Sequence, residues 1–547
     1  MENKEKIVLP KEFEEMVRSV IGDGEWDAFV EALSDEPSVS VRINAQCTMH
    51  DAQCTMHNSQ CTMHNSQCTM HDAQCTIHNA QFTVHNSQLI DGQQTTDNGQ
   101  QSIDGSQLST LNFFAKGSKT FGSQFSTLNS QFSILNSQLS TLNSQLSTVK
   151  WCEYGRYLSE RPKFTYDPMF HAGAYYVQEA SSMFVWQALT QLVDKDAVVL
   201  DMCAAPGGKS TAIAQYLSEE GFLVSNEYVP QRAHVLVENI TKWGAPNCVV
   251  TNNAPRHFEK LKSRFDAILV DAPCSGEGMF RKDERAREEW SPANVEMCVE
   301  RQREILESAW HVLKPGGVLI YSTCTFNSHE NEEQVQWLID EMEAEYLPIK
   351  IGEDWMITET ERGYRFLPHK TRGEGLFMAA VRKQGGIENG ELRIENSCSK
   401  KRSDKKAKSS TFNIQFTTDD LLRGEYGVVE SEGRYYAVQK ERVDFVEECR
   451  KVLNVLSFGV QMYEQKGKDL IPQAALALSQ VYVRGAYPEV ELSYDEAISF
   501  LRKEAIVLAD APRGFVLVTY NGAPLGWVKN IGNRCNNLYP EFWRIRN

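Results

Sequence analysis

The sequence predicts an α/β protein built on a parallel sheet, with a small α+β N-terminal part and a β-rich C-terminal part. Three observations carry that reading. Five apolar runs, at 197–201, 222–226, 248–251, 265–271 and 317–322, alternate with helix-like stretches, and buried strands separated by helices make parallel sheets. The turn Asp201-Met-Cys-Ala-Ala-Pro-Gly-Gly-Lys-Ser210 joins the first run to a helical pattern over 211–219, the strand–glycine turn–helix arrangement of nucleotide-like ligand sites. Near the end, two alternating apolar runs flank Asn521-Gly522 within 514–529, which reads as a β-hairpin.

The chain has 547 residues, 41% of them hydrophobic and 24% charged, enough for roughly two to four globular domains. Its 73 acidic and 56 basic side chains give a net charge of −17. That excludes a protein coating nucleic acid through bulk positive charge, so an RNA or DNA partner has to be held by a local patch. The charged N-terminus lacks the basic start, apolar run and cleavage site of a secretory signal. No run reaches the roughly 18 consecutive apolar residues of a membrane span. Of 14 cysteines, five sit in a repeat and nine are scattered singly, a pattern that suits reduced thiols. A soluble, cytoplasmic protein is expected.

A seven-residue unit begins as Gln-Cys-Thr-Met-His-Asn-Ser, with Gln at 46, 53, 60, 67, 74, 81 and 88, and returns as a Leu/Phe-bearing form over 124–149. Cys47, His50, Cys54, His57, Cys61 and His64 would line one face of a helix. Ser, Thr and Asn are indifferent helix formers, however, and nothing closes a set of four ligands. No metal site is assigned. The expected organisation is a globular N-terminal domain over 1–44, resumed at 149–180 after a disordered insertion at 45–148. A central domain over 181–383, a basic linker over 384–410 and a C-terminal region over 411–547 follow.

The glycine turn lacks both the Walker A spacing and a full G-x-G-x-x-G. It suits an adenosine cofactor without bound phosphates better than a nucleotide polyphosphate. Glu227 ends the second strand, where a carboxylate can accept hydrogen bonds from ribose hydroxyls; by itself it reads equally as a solvated strand-end acid. The fourth strand runs into Asp271-Ala-Pro-Cys274-Ser-Gly-Glu-Gly278 and the fifth into Ser322-Thr-Cys324-Thr325. Each presents a cysteine just past the carboxyl end of a buried strand, where open α/β sheets place their ligands. One such cysteine is ordinarily inert packing, whereas two on consecutive strands point to chemistry.

Together, Asp201–Lys209, Asp271–Asp283 and Tyr321–Glu333 resemble the Sun-type RNA (cytosine-5)-methyltransferases. His171–Ser182, Gly526-Trp-Val-Lys and Asn533–Pro540 extend the likeness to roughly three quarters of the chain, toward members acting on small-subunit (16S) ribosomal RNA. The resemblance implies a Rossmann-like methyltransferase core, RNA binding by the N-terminal domain over 1–44 and 149–180, and a C-terminal PUA-like β-barrel that binds RNA. Of Tyr520, Trp527 and Tyr539, at least two are expected in the barrel core rather than stacked on bases. S-adenosyl-L-methionine is the implied cofactor, held by Cys203, Ala204, Ala205, Pro206, Gly207, Gly208, Lys209, Glu227 and Asp271. Where the family usually offers an Asp to the adenine amino group this chain has Ala254, leaving Asn252 or Asn253 for that contact. Cys324 is the implied nucleophile, Cys274 the cysteine that assists release, and Asp271 the partner of ring nitrogen 3. Lys209, Arg281 and Lys282 are the candidates to favour a thiolate. The expected partner is ribosomal RNA, free or within the small subunit, with no membrane and a monomeric enzyme. Transfer RNA is the alternative substrate. A non-catalytic ribosome-assembly protein is the rival of another class, and the presence of both cysteines argues against it.

Overall fold

The computed structural model describes residues 7–45, 147–385 and 418–546. The insertion's repeat, its Cys/His face and its expected disorder lie outside the described residues, as does nearly all of the basic linker.

Two amphipathic helices open the chain, α1 (Lys11–Ile21) and α2 (Trp26–Leu33), burying Phe13 and Val17 on one and Trp26, Phe29 and Leu33 on the other. Strand β1 (Val39–Ile43) then pairs antiparallel with β2 (Gly155–Leu158) and β3 (Tyr175–Val177). Segments on either side of the insertion therefore form one sheet.

The central sheet follows the predicted alternation through β4 (Val198–Asp201), α3 (Gly208–Tyr216), β5 (Phe222–Asn226), α4 (Pro230–Trp243), β6 (Cys248–Thr251), β7 (Phe265–Asp271), α5 (Pro292–Val312) and β8 (Leu313–Thr323). The order β8-β7-β4-β5-β6 is parallel throughout. Antiparallel strands on both sides make the sheet mixed, among them three short ones at 344–346, 358–360 and 363–366 on the β8 side. Strand β9 (Leu376–Lys383) lies antiparallel beside β8. At the other side, a strand from the C-terminal region pairs antiparallel with β6. The helix after the glycine turn starts at Gly208 rather than 211, because Gly207 takes up the turn and the helix begins at once.

The C-terminal region, read from the sequence as a single PUA-like unit, contains two separate sheets. Strands β10 (Tyr426–Ser431) and β11 (Arg434–Gln439) lead into α6 (Val443–Val452), whose Val446 and Cys449 join the core beneath the central sheet. Strand β12 (Val455–Phe458) is the one added to β6, and β13 (Val460–Lys466) and β14 (Asp469–Pro472) complete the first sheet. The second comprises β15 (Glu489–Glu491), β16 (Gly514–Tyr520), β17 (Ala523–Asn530) and β18 (Cys535–Asn537). Strands β16 and β17 form the predicted hairpin, with Asn521 and Gly522 both at positive φ, as a two-residue hairpin turn requires. Trp527 and Tyr539 are each 1% exposed, whereas Tyr520 is only half-buried.

Candidate active site

Register brings Asp201 of β4 level with Ser225 and Leu269, and Asp271 of β7 level with Ser322. The chain segments leaving β4, β5, β7 and β8 therefore carry the glycine turn, Glu227, Cys274 and Cys324 to one edge of the sheet.

The glycine turn is held from behind. Ala204 N–H donates to the Asn226 carbonyl (2.8 Å), Arg232 Nη2 to the Ala205 carbonyl (2.7 Å) and Asn239 Nδ2 to the Pro206 carbonyl (2.8 Å). Gly207 sits at φ +115°, where a Cβ would come 3.2 Å from Leu236 Cδ1; glycine alone fits readily there. The first amides of α3 have no partner within the helix and are available to a ligand. Arg42 of β1, completely buried, braces this helix start through Gln178 Oε1 (2.8 Å), the Gly208 carbonyl (3.2 Å), Thr211 and Gln215. Burial lowers its pKa to about 10.

Glu227 is buried, accepts from Val229 N–H at 2.8 Å and faces Arg232 Nη1 at 3.6 Å. Asp201 is 1% exposed; its Oδ2 accepts from Ser210 Oγ (2.6 Å), while Oδ1 meets no hydrogen-bond donor in good geometry among the described residues. Burial pushes its pKa up to about 7. An open buried acceptor, a glycine turn and a strand-end carboxylate fit an adenosylated cofactor bearing hydroxyl and amine donors. The two asparagines near Ala254 separate. Asn253 uses both side-chain ends on Asn454, donating to its carbonyl (3.2 Å) and accepting from its N–H (3.1 Å). Asn252 Nδ2 donates to the carbonyls of Glu227 (2.7 Å) and Tyr228 (2.9 Å), so its Oδ1 remains as an acceptor.

Cys274 Sγ and Cys324 Sγ lie 3.3 Å apart, both half-buried. The hydrogen bond to Cys324, with burial, holds the Cys274 thiol well above the usual cysteine range. Burial and the surrounding carboxylates do the same to Cys203, in the glycine turn. Asp271 Oδ1 accepts from Ser322 Oγ (2.7 Å) and pairs with Lys209 Nζ (2.8 Å). Burial works to lower the Lys209 pKa, but Asp271, with a smaller contribution from Cys324, outweighs it and raises the value. Lys209 is thus a cation in the field of Cys324. Arg281 and Lys282, expected in the same role, answer Glu374 instead. Arg281 Nε contacts it at 2.7 Å and Lys282 Nζ at 3.6 Å, while Arg281 also donates to the Gly373 and Ala32 carbonyls.

Sequence reasoning missed Arg42, Glu277 and Glu330. The two acids stand inside the quoted motifs, and completely buried acids in polar loops are a signal that appears only once the loops meet.

Comparison with known proteins gives three matching family models. They are 16S rRNA methyltransferase RsmB/F over residues 188–382, the RsmF PUA domain over 487–545 and the N-terminal domain of 16S rRNA methyltransferase RsmF over 117–180. The protein named ribosomal RNA small subunit methyltransferase F from Shewanella piezotolerans is 34% identical over 411 residues, covering 72% of this chain and 84% of that protein. The chain belongs to the RsmB/F family of 16S rRNA methyltransferases. The Aeromonas hydrophila family member of the same name is 34% identical over 418 residues, with the same coverages. Among solved structures, NSun6 from Pyrococcus horikoshii with SFG matches at 20% identity and a TM-score of 0.46, over 68% of this chain and 98% of that one. A methyltransferase homologue from the same organism matches at 24% and 0.45, over 68% and 95%. For this RsmB/F member, S-adenosylmethionine dependence and a Rossmann-like methyltransferase core follow from the family.

Proposed function

We propose that this chain methylates carbon 5 of a cytosine in small-subunit (16S) ribosomal RNA through a covalent Cys324–cytosine adduct. The observation that carries the reading is the pair of thiols 3.3 Å apart, beside the ion pair of buried Lys209 with half-buried Asp271 at the carboxyl edge of the sheet.

Carbon 5 of cytosine is too weak a nucleophile to take a methyl group unaided. A Cys324 thiolate adding to carbon 6 makes carbon 5 enamine-like. Lys209, paired with Asp271, is a cation in the field of Cys324. Asp271, oriented by Ser322 and Lys209, meets ring nitrogen 3 as electron density builds there. Elimination removes the carbon 5 proton, re-forms the 5,6 double bond and expels Cys324; Cys274, 3.3 Å from Cys324, assists by giving its thiol proton to the departing sulfur and taking up the carbon 5 proton. S-adenosylmethionine supplies an electrophilic methyl group when bound. Residues 203–209, Glu227 and Asp271 would hold it, with Asn252 Oδ1 accepting from the adenine amino group in place of the family Asp. The target base has to leave its stack to reach the half-buried thiols.

The protein acts in the cytoplasm as a monomer, on RNA free or within the small subunit. Residues 1–44 with 149–180, and 411–547, flank the catalytic domain as RNA-binding parts. Among the described residues, no helix is long and apolar enough to cross a membrane. Bisulfite sequencing of total RNA from cells with and without the gene tests the reading. One cytosine in small-subunit ribosomal RNA should lose its protection when the gene is removed. Loss at a transfer RNA cytosine instead would establish the alternative substrate, and no loss anywhere would overturn the activity.

A further inference from the structure

The loops that carry the two cysteines are joined by a reciprocal pair of buried acids. Glu277, three residues after Cys274, reaches into the Cys324 loop, accepting from Phe326 N–H (2.6 Å), Asn327 N–H (3.0 Å) and Asn327 Nδ2 (2.8 Å). Trp290 Nε1 adds a fourth donor at 3.1 Å. Glu330, six residues after Cys324, reaches the other way and accepts from Ser275 N–H (2.9 Å), directly after Cys274. It also accepts from Gln302 Nε2 (2.8 Å), which in turn donates to the carbonyl of Pro273, directly before Cys274 (3.1 Å). Cys274 is thereby gripped on both sides. Asn327 Nδ2 lies 2.8 Å from each carboxylate and ties the two together. Gly278 N–H to the Cys324 carbonyl (2.8 Å) and Ser275 Oγ to Thr325 Oγ1 (3.0 Å) close the same seam.

Both acids are 0% exposed, and every hydrogen bond given above to them comes from a neutral N–H. A carboxylate has only acceptor sites, which is what several converging N–H groups require. Burying such an acid is unfavourable unless its oxygens are satisfied, so a simple surface tether does not account for two of them.

We propose that Glu277 and Glu330 are positioning residues whose clasp sets the Cys274–Cys324 spacing, and that this spacing is needed for release of the methylated base rather than for the initial attack. The inference rests on the roles proposed above for the two thiols. Attack needs Cys324 alone; elimination needs Cys274 close to the same adduct. Loosening the clasp moves Cys274 relative to Cys324 and stalls the reaction after the covalent bond has formed. Glu330→Gln or Glu277→Gln does this with little change in volume, because the new amide turns an N–H toward N–H donors.

The test uses the full chain with S-adenosylmethionine and small ribosomal subunits from cells lacking the gene. It reads the fraction of enzyme in a slow-migrating RNA adduct on a denaturing gel, together with kcat, KM and cofactor affinity. Cys274→Ala and Cys324→Ala are run alongside. E330Q and E277Q should each accumulate at least about fivefold more adduct than the wild type and lose at least about tenfold in kcat. KM and cofactor affinity should stay within about threefold. If Cys274→Ala accumulates adduct and the glutamine variants bind cofactor but lose turnover without it, the clasp is not a release device and the inference falls. Failure of both glutamine variants to bind cofactor would also overturn it, assigning the acids to the fold alone. Absence of adduct in Cys274→Ala would instead overturn the thiol roles on which the inference stands.

Discussion

Among single residues, the adenine contact proposed for Asn252 rests on two neighbouring asparagines with different hydrogen-bond partners. Asn253 spends its amide on the backbone of Asn454, which leads into β12, and so serves the seam between the central sheet and the C-terminal region. Asn252 is anchored through Nδ2 to the strand end that carries Glu227, with its oxygen left over. Asn252→Ala should weaken S-adenosylmethionine binding by about fivefold to tenfold in a titration, in line with about 1 kcal/mol for one hydrogen bond. Asn253→Ala should leave the affinity within about twofold and lower Tm. The opposite pattern would exchange the two assignments. Lys209 illustrates a related economy: the cation that orients Asp271 also lies in the field of Cys324.

At the scale of elements, strands 222–226, 248–251 and 265–271 stand where the apolar alternation placed them, because each is a short buried run between turns. The antiparallel neighbours β9 and β12 were not legible in that way. The first returns to the sheet about fifty residues after β8, and the second is a four-residue, mostly half-exposed strand whose partner lies two hundred residues away. Cys274, Cys324, Asp271 and Glu227 could be read because each follows or ends a strand within a recognisable motif. Arg42, Glu277 and Glu330 could not, since a buried charge acquires its meaning only from carbonyls and amides brought in by distant segments.

The contact between the segment before β3 and the last sheet gives a test of pH dependence. His171 Nε2 faces the Thr165 carbonyl at 2.9 Å and Nδ1 faces Tyr539 Oη at 3.3 Å, a pairing that suits the neutral ring. Burial lowers its pKa to about 4, against roughly 6.5 in an unfolded chain. Its contribution to stability is therefore complete above about pH 6.5 and is lost as pH falls through about 4, up to about 3 kcal/mol. Urea unfolding of His171→Gln should show a shallower loss of stability from pH 7 to 4 than the wild type; equal slopes would contradict this. Two residues on, Gly173 has φ +72°, and a Cβ there would stand 1.8 Å from the Lys242 carbonyl oxygen. Gly173→Ala should cost at least about 3 kcal/mol, and an unchanged Tm would show that this approach is not needed.

At the scale of the whole molecule, β1 and β2 pair in register although the insertion separates them in sequence. Lengthening such a connection adds only about 0.6 kcal/mol of loop entropy per doubling, so the sheet can form around it. Replacing residues 46–146 by a short glycine–serine linker should leave methyl transfer within about twofold of the full chain. Loss of activity, or stoichiometric zinc that disappears with the segment, would show that the repeat has work of its own. Attack of Cys324 on a cytosine of small-subunit ribosomal RNA is the step on which the proposed function stands. The most direct measurement incubates the purified protein with S-adenosylmethionine and small subunits from cells lacking the gene, then maps protected cytosines by bisulfite sequencing for wild type and Cys324→Ala. Wild type should protect one new cytosine and Cys324→Ala none, whereas protection by the variant at the wild-type level would rule out Cys324 as the nucleophile.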